Sequence, residues 1–407
     1  MNATHGRSER KPPETPRVSS FKDSAAAVLS TLRTATRGVL AELDGISKPA
    51  DLQRALKLDQ TLSWQICRIA GPTDLLSSGS AVPSRTSIER FLKAAKTKGV
   101  KAAKAMEILE GYDAFEALIE RHAGDRVTFN SMVSAASGVD EEWLTTDLQH
   151  RRNMFRGMSH SMGLKARCRL QTAIVTDSAD GKTSDWALLN GQVDLQILRA
   201  FDAVRVYGLE FVGDQQSQAS REPLGDCEEA GGHFISKFSS RLPCPLQVSE
   251  HRDGRQWNLE ASLVRPDVGK LAMKTFMFGH LFRKYPYIEG MRAWNIIVAR
   301  PVEVLINDML VAPGSLKGME PTAEVFWGLK RVGGPPTEVI PVEGKYSVER
   351  LGKGADALAC PDVPQYPEMI RATAKKTGWD LDEYQAYRIR VEFPIYQTNV
   401  RMRWDPR

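Results

Sequence analysis

Apolar residues recur at helical spacing from Phe21 to Gly163 with almost no period-two alternation, so the first part of the chain reads as a series of helices. Val28, Leu29, Leu32, Val39 and Leu40 predict a helix over Ser24 to Leu43. In "KPADLQRALKL", Pro49 sits where a first helical residue should, and Leu52, Ala55 and Leu56 share one face. A break at Leu58-Asp59 follows, and Leu62, Ile66, Ile69 and Ala70 then form the stripe of a second short helix. Further on, Ile88, Phe91, Leu92 and Ala95 predict a helix ending near Gly99. Ala102, Ala105, Met106 and Leu109 predict another, stopped by Gly111, and Phe115, Leu118, Ile119 and His122 a third, stopped by Gly124. A last helix is expected between Glu141 and Ser159, with Trp143, Leu144, Leu148 and Phe155 as its apolar contacts.

Beyond Gly163 the period changes. "KARCRLQTAIVT" and "VRVYGLEFVG" read as strands, and "SDWALLNGQVDLQILR" as a short helix or turn unit. "WNIIVARPVEVLINDMLVA" is strand-like, with Pro301 marking a break or edge. "PEMIRATAKKTG" is a helix opened by Pro367 and closed by Gly378. Tyr387, Ile389, Val391 and Phe393, then Val400, Met402 and Trp404, alternate with polar residues as half-buried strands do. Because strands and helices do not alternate regularly, the expected class is α+β: an all-helical N-terminal domain followed by a larger β-rich mixed domain. The expected division is an arm over 1–20, a helical domain over 21–163 and an α+β domain over 164–407, with a further boundary conceivable at Gly333-Gly334-Pro335-Pro336.

A chain of 407 residues with 42% hydrophobic and 26% charged residues has enough apolar content for packed cores in more than one domain. The first 20 residues, rich in Pro, Ser and charge, read as a disordered basic arm without a signal-peptide core. No run of about 18 apolar residues occurs, so no membrane span is expected. Five scattered cysteines without a C-x-x-C argue for reduced thiols and a cytoplasmic location.

The net charge of +5 tolerates a polyanionic partner without requiring one, so the distribution of charge matters more. Between Ser84 and Lys104 stand seven Lys or Arg against one acid, Glu89. A second stretch, "LQHRRNMFRGMSHSMGLKARCRLQT", holds Arg151, Arg152, Arg156, Lys165, Arg167 and Arg169 and no acid. Phosphate contacts supply most nonspecific nucleic-acid affinity, so such patches are a plausible electrostatic footprint.

The segment over residues 49–70 resembles a bacterial helix-turn-helix unit, whose second helix would expose Gln60, Thr61, Ser63, Trp64 and Arg68. "VPSRTSIERFLKAAKTKGV" resembles the recognition helix of winged-helix regulators of the IclR type, matching at Pro83, Thr86, Ile88, Arg90, Leu92, Gly99 and Val100. That resemblance implies that Arg85, Thr86, Ser87 and Arg90 enter the major groove and that Lys93 and Lys96 meet phosphates. The wing hairpin expected after Gly99-Val100 is replaced by another helix.

The sequence therefore leads to a DNA-binding transcriptional regulator with a ligand-binding or oligomerisation domain at its C-terminal end. Its nucleic-acid residues would be Arg68, Arg85, Thr86, Ser87, Arg90, Lys93, Lys96, Arg151, Arg152 and Arg156, and its partners double-stranded DNA and a second copy of the chain. The alternative is a structural or protein-interaction role in which these cations are solvated surface. A hydrolase is a distant third. "GMSHSMG" resembles a nucleophile elbow around Ser159 but has Ser161 in place of the second glycine, and His122 with Asp125 could form a base pair of residues. No metal-ligand spacing or phosphate loop appears, and no cofactor is expected.

Overall fold

The computed structural model describes residues 20–404 except 44, 72–73, 138–140, 181, 213–219, 229–230, 242–245, 254–255, 287–292, 316–319 and 328–339. The N-terminal arm, apart from Ser20, and the Gly333–Pro336 boundary lie outside the described residues. The helices are α1 (Phe21–Ala41), α2 (Pro49–Leu56), α3 (Gln60–Ala70), α4 (Arg85–Lys96), α5 (Ala102–His122), α6 (Arg126–Ser137), α7 (Glu141–Met162) and α8 (Tyr366–Thr377). The strands are β1 (Leu164–Asp177), β2 (Thr183–Ile197), β3 (Ala203–Val212), β4 (Ser220–Pro223), β5 (Leu246–Asp253), β6 (Gln256–Val264) and β7 (Lys274–Pro286). They continue with β8 (Ala293–Ile297), β9 (Val302–Val311), β10 (Pro321–Trp327), β11 (Ile340–Pro341), β12 (Glu349–Lys353), β13 (Gln385–Glu392) and β14 (Thr398–Trp404). This is the α+β class, helical first and sheet-rich after.

Two compact units divide at Trp143 and Leu144, rather than at Gly163. The reason lies in α7, whose length belongs with the sheets: Phe155 packs against Phe393, and Arg151 donates to the Tyr346 hydroxyl at 2.5 Å.

In the helical unit, Leu29, Leu32 and Val39 of α1 pack with Leu52, Leu62, Ile66, Phe91, Ile108, Phe115 and Phe129. Each such burial contributes about 1.5–3 kcal/mol, against which the three threonines of α1 cost little. Gly111 does not stop a helix, because α5 runs through it to His122. A Cβ at Gly111 would meet Leu32 of α1 at 3.3–3.4 Å, so the glycine lets two long helices approach closely. The stretch before α4 is not a surface loop: it forms a 3-10 turn over Ser77–Ala81, and Gly79 lies against Leu29, Phe129 and Val133. Arg126 clamps it by donating to the carbonyls of Gly79 and Val82 at 2.9 and 2.8 Å.

In the second unit, a seven-stranded sheet runs in the order β12-β13-β9-β1-β2-β7-β4, with β1 parallel to β9 and the other recorded pairs antiparallel. Sheets β11-β10-β14-β8 and β3-β6-β5 contribute Val400, Met402, Trp404, Val204, Tyr207 and Leu263 to one core with it. A second core joins residues of the large sheet with α8 and the turn before it through Leu358, Tyr366, Met369 and Ile370. Strands buried on both faces lose alternation. That is why "SDWALLNGQVDLQI" is strand β2 and not the helix or turn unit expected: seven successive residues from Ala187 to Val193 are buried.

Double burial forces polar residues to satisfy one another. Thr172, Asp308 and Arg388 are cross-strand neighbours on β1, β9 and β13. Asp308 is fully buried and accepts from Arg388 Nε and Nη2 at 3.0 and 2.7 Å and from the Tyr366 hydroxyl at 2.7 Å. Burial pushes the Asp308 carboxyl up, whereas the fork of Arg388 favours the carboxylate; the two-pronged geometry is that of an ion pair. Asp308→Leu alone should lower the stability of this unit by about 3–5 kcal/mol by stranding the guanidinium, and adding Arg388→Met should recover most of it. Urea unfolding of both variants checks this, and a double variant as unstable as the single one would contradict it.

Candidate functional site

Helix α2 ends at Lys57, whose φ of 53° is left-handed, and Asp59 caps α3 by accepting from Leu62 N at 2.8 Å. Three residues therefore link an eight-residue helix to an eleven-residue one. Leu52, Leu56, Leu58, Leu62 and Ile66 lock the pair from inside. The outer side of α3 shows Gln60 and Thr61, with Trp64 44% exposed and the Arg68 guanidinium 5.1 Å from its ring centroid. Ser63 departs from the expected exposed set: it is buried, and its hydroxyl donates to the Asp59 carbonyl. Lys48, Pro49, Ala50 and Gln53 from the start of α2 and Gln60, Thr61 and Trp64 from the start of α3 line one open hollow of about 570 Å³. Two helix N-termini, each with a positive dipole end, thus border the same space.

Helix α4 forms as its period predicts, with Ser84 capping Ser87 N and Ile88, Phe91, Leu92 and Ala95 buried. Its arginines, however, are engaged. Arg85 is paired with Asp113 and Glu116 of α5 and lies over the Tyr112 ring, and Arg90 is paired with Asp59 at the α3 cap. Thr86, Lys93 and Lys96 are exposed, and Ser87 is half-buried in the cap. Over residues 20–143 there are 16 Lys or Arg and 16 Asp or Glu, so the described unit is formally neutral and its cations are concentrated rather than in excess.

The second basic stretch belongs to the other unit and disperses within it. Arg151 is buried against Asp147 and Tyr346, Arg152 lies over Phe393, and Arg156 is exposed. Arg167 pairs with Asp194, and Arg169 lines an interior cavity. The hydrolase candidates fall in different units, His122 and Asp125 in the first and Ser159 in the second. Ser159 is buried with its hydroxyl on the Phe155 carbonyl, the Asp125 carboxylate caps α6 through Thr128, and the His122 ring packs on Phe21.

Sequence reading passed over one titratable cluster. His280 on β7 is fully buried, its Nε2 2.7 Å from the Tyr207 hydroxyl and its ring stacked 4.3 Å from that of His233. The lone His in "FMFGHLFRKY" at a strand position was its only signal. Burial, then the neighbouring His233 and Arg221, hold His280 well below the ordinary imidazole range, and burial also lowers His233.

No family model matches the chain, and no curated protein matches it. Among solved structures, the chain is similar to a candidate protease from Parabacteroides distasonis, at 7% identity and a TM-score of 0.29, over 60% of this chain and 40% of that one. The chain thus spans less than half of that protein's length, and a likeness this slight carries no argument about activity.

The histidines generate a prediction. A folded-state pKa below the unfolded one means that the unfolded chain takes up protons first, so stability is lost as pH falls through about 6.5. Urea midpoints between pH 8 and 5 should fall from near pH 6.5 in wild type and less steeply in His280→Gln; identical pH slopes would refute the assignment.

Proposed function

We propose that the protein is a DNA-binding transcriptional regulator whose helical unit meets the duplex through α3, with the β-rich unit serving ligand binding or self-association. The observation that carries this reading is the hollow shared by the starts of α2 and α3. In a helix-turn-helix the second helix offers its N-terminal side chains to base edges while the first lies near the backbone. Here Gln60 and Thr61 are exposed donors and acceptors suited to base edges, Trp64 offers an apolar face, and Lys48 with the start of α2 suits a phosphate. Arg68, held along Trp64, adds a cation at the same surface.

This moves the reading surface away from the one the IclR-type resemblance implies. Arg85 and Arg90 would have to leave their carboxylates to touch DNA, whereas Lys93 and Lys96 are available for phosphates. The paired arginines and the formal neutrality of residues 20–143 favour the second reading, a protein-docking role, for α4 itself.

Fluorescence anisotropy of a labelled duplex pool across a salt series tests the proposal. Wild type should bind with a shallow slope of about −2 to −4 in log K against log salt, corresponding to a few phosphates at −0.9 each. Trp64→Ala and Arg68→Ala should each weaken binding by at least about fivefold, while Arg85→Ala/Arg90→Ala should change it less. Absence of salt-sensitive binding by wild type would sink the regulator reading in favour of protein docking.

A further inference from the structure

The β-rich unit contains a cavity of about 60 Å³, room for a small oxyanion or about two waters. Its construction follows from register. Gln192, Arg169 and Leu305 are cross-strand neighbours on β2, β1 and β9, forming one row on the large sheet. Arg205, Val206, Tyr207 and Gly208 of β3, residues 298–300 of the link between β8 and β9, and Val302 of β9 complete the lining. Gly208, Ala299 and Arg205 are exposed and form the mouth, while Gln192 and Tyr207 are buried.

Three arginines from three separate segments line this space, and it has no acidic lining residue. Arg205 is offset by Glu260, at 2.5 Å. Arg300 donates through Nη2 to the Arg205 carbonyl at 2.7 Å, and its Nη1 is buried with no hydrogen-bond partner. Arg169 reaches only the Gly191 carbonyl at 3.4 Å and Asn190 Oδ1 at 3.5 Å. Neither Arg169 nor Arg300 has an ion pair among the described residues. Gln192 spends its amide N–H on the Val206 carbonyl, and its Oε1 is buried without a donor.

We propose that this cavity binds the phosphate group of a small ligand, either inorganic phosphate or a phosphate monoester whose ester oxygen leaves by the mouth. Two half-buried guanidiniums without a counter-charge, one with its Nη1 buried and unpartnered, are costly, and an anion between them removes that cost. Donors arriving from three directions suit a tetrahedral oxyanion better than a carboxylate, which one fork satisfies. The vacant Gln192 Oε1 supplies the acceptor for the one P–OH of a hydrogenphosphate dianion, or of a monoester in its monoanionic form. Consistent with this, burial followed by the adjacent Arg169 and Arg205 lowers Arg300 to about 9, and burial lowers Arg169; a bound dianion would reverse both. The inference is independent of the nucleic-acid reading, because every group named lies in the second unit.

The test is thermal unfolding and titration calorimetry of the full chain in an amine buffer, with sodium phosphate, methyl phosphate, sodium acetate or sodium chloride at matched ionic strength. Phosphate at ten times its Kd should raise the Tm of the β-rich unit by about 3–6 °C, with acetate and chloride inert. A matching methyl phosphate shift assigns a monoester, and its absence assigns inorganic phosphate. Arg300→Gln should abolish the shift while melting no lower than wild type without phosphate. Arg205→Gln, at the exposed mouth and safe for folding, should weaken binding about tenfold, and Trp64→Ala should leave the shift unchanged. No shift in wild type with either phosphate, an equal shift in Arg300→Gln, or a response to acetate as large as to phosphate would overturn the proposal.

Discussion

Asp308 is a carboxylate with no exposed surface, and much of the second unit is arranged around that fact. Its carboxylate sits at the middle of three adjacent strands, with Thr172 and Arg388 as lateral neighbours, and the Tyr366 hydroxyl closes it off from α8. Arg388 then reaches on to the Leu358 carbonyl, tying down the turn before α8. Register, helix docking and turn position are thereby fixed by one set of mutually dependent hydrogen bonds. The opposite face repeats the logic with neutral groups: Gln171 and Asn307, also cross-strand neighbours, donate to the carbonyls of Asn295 and Trp294 and so fasten the large sheet to the four-stranded one.

What could be read from the sequence was whatever is governed by near neighbours. The stripe of α4, the Pro367 and Gly378 limits of α8 and the alternation of Val400, Met402 and Trp404 in β14 all depend on residues within a turn or two, and all are found; β13 stops at Glu392, one residue before the expected Phe393. Gly111 and β2 were misread because their environment is set elsewhere: by Leu32 in the first case, by cover on both faces of the sheet in the second. The candidate interface was legible in the same partial way. The short helix pair over residues 49–70 is present, but the groups that engage Arg85 and Arg90 stand some 30 positions away and leave no local trace.

Arginine illustrates why charge density is a poor map of this protein. Arg85, Arg90 and Arg167 are balanced by carboxylates, Arg68 and Arg152 lie along rings, and Arg126 serves backbone carbonyls in the helical core. Only Arg169 of the cavity belonged to a basic run; Arg205 and Arg300 are single cations inside apolar text, "DAVRVYG" and "IIVARPV". An isolated arginine in apolar, strand-forming text has few carboxylates near it in sequence to engage it, and it was the better pointer.

The parallel pairing of β1 with β9 also constrains how the chain comes to be folded. Ala166 must find Val302, and everything from β2 to β8 is, topologically, the crossover between them. Contacts of such long range are slow to form, and on the ribosome they cannot form until β9 has emerged. The helical unit, complete well before, is free to fold ahead. Meanwhile β1, whose residues from Leu170 to Val175 are buried on both faces in the finished sheet, has only its hairpin partner β2 for cover until β9 arrives, which leaves one of its edges open to a wrong strand in the interval.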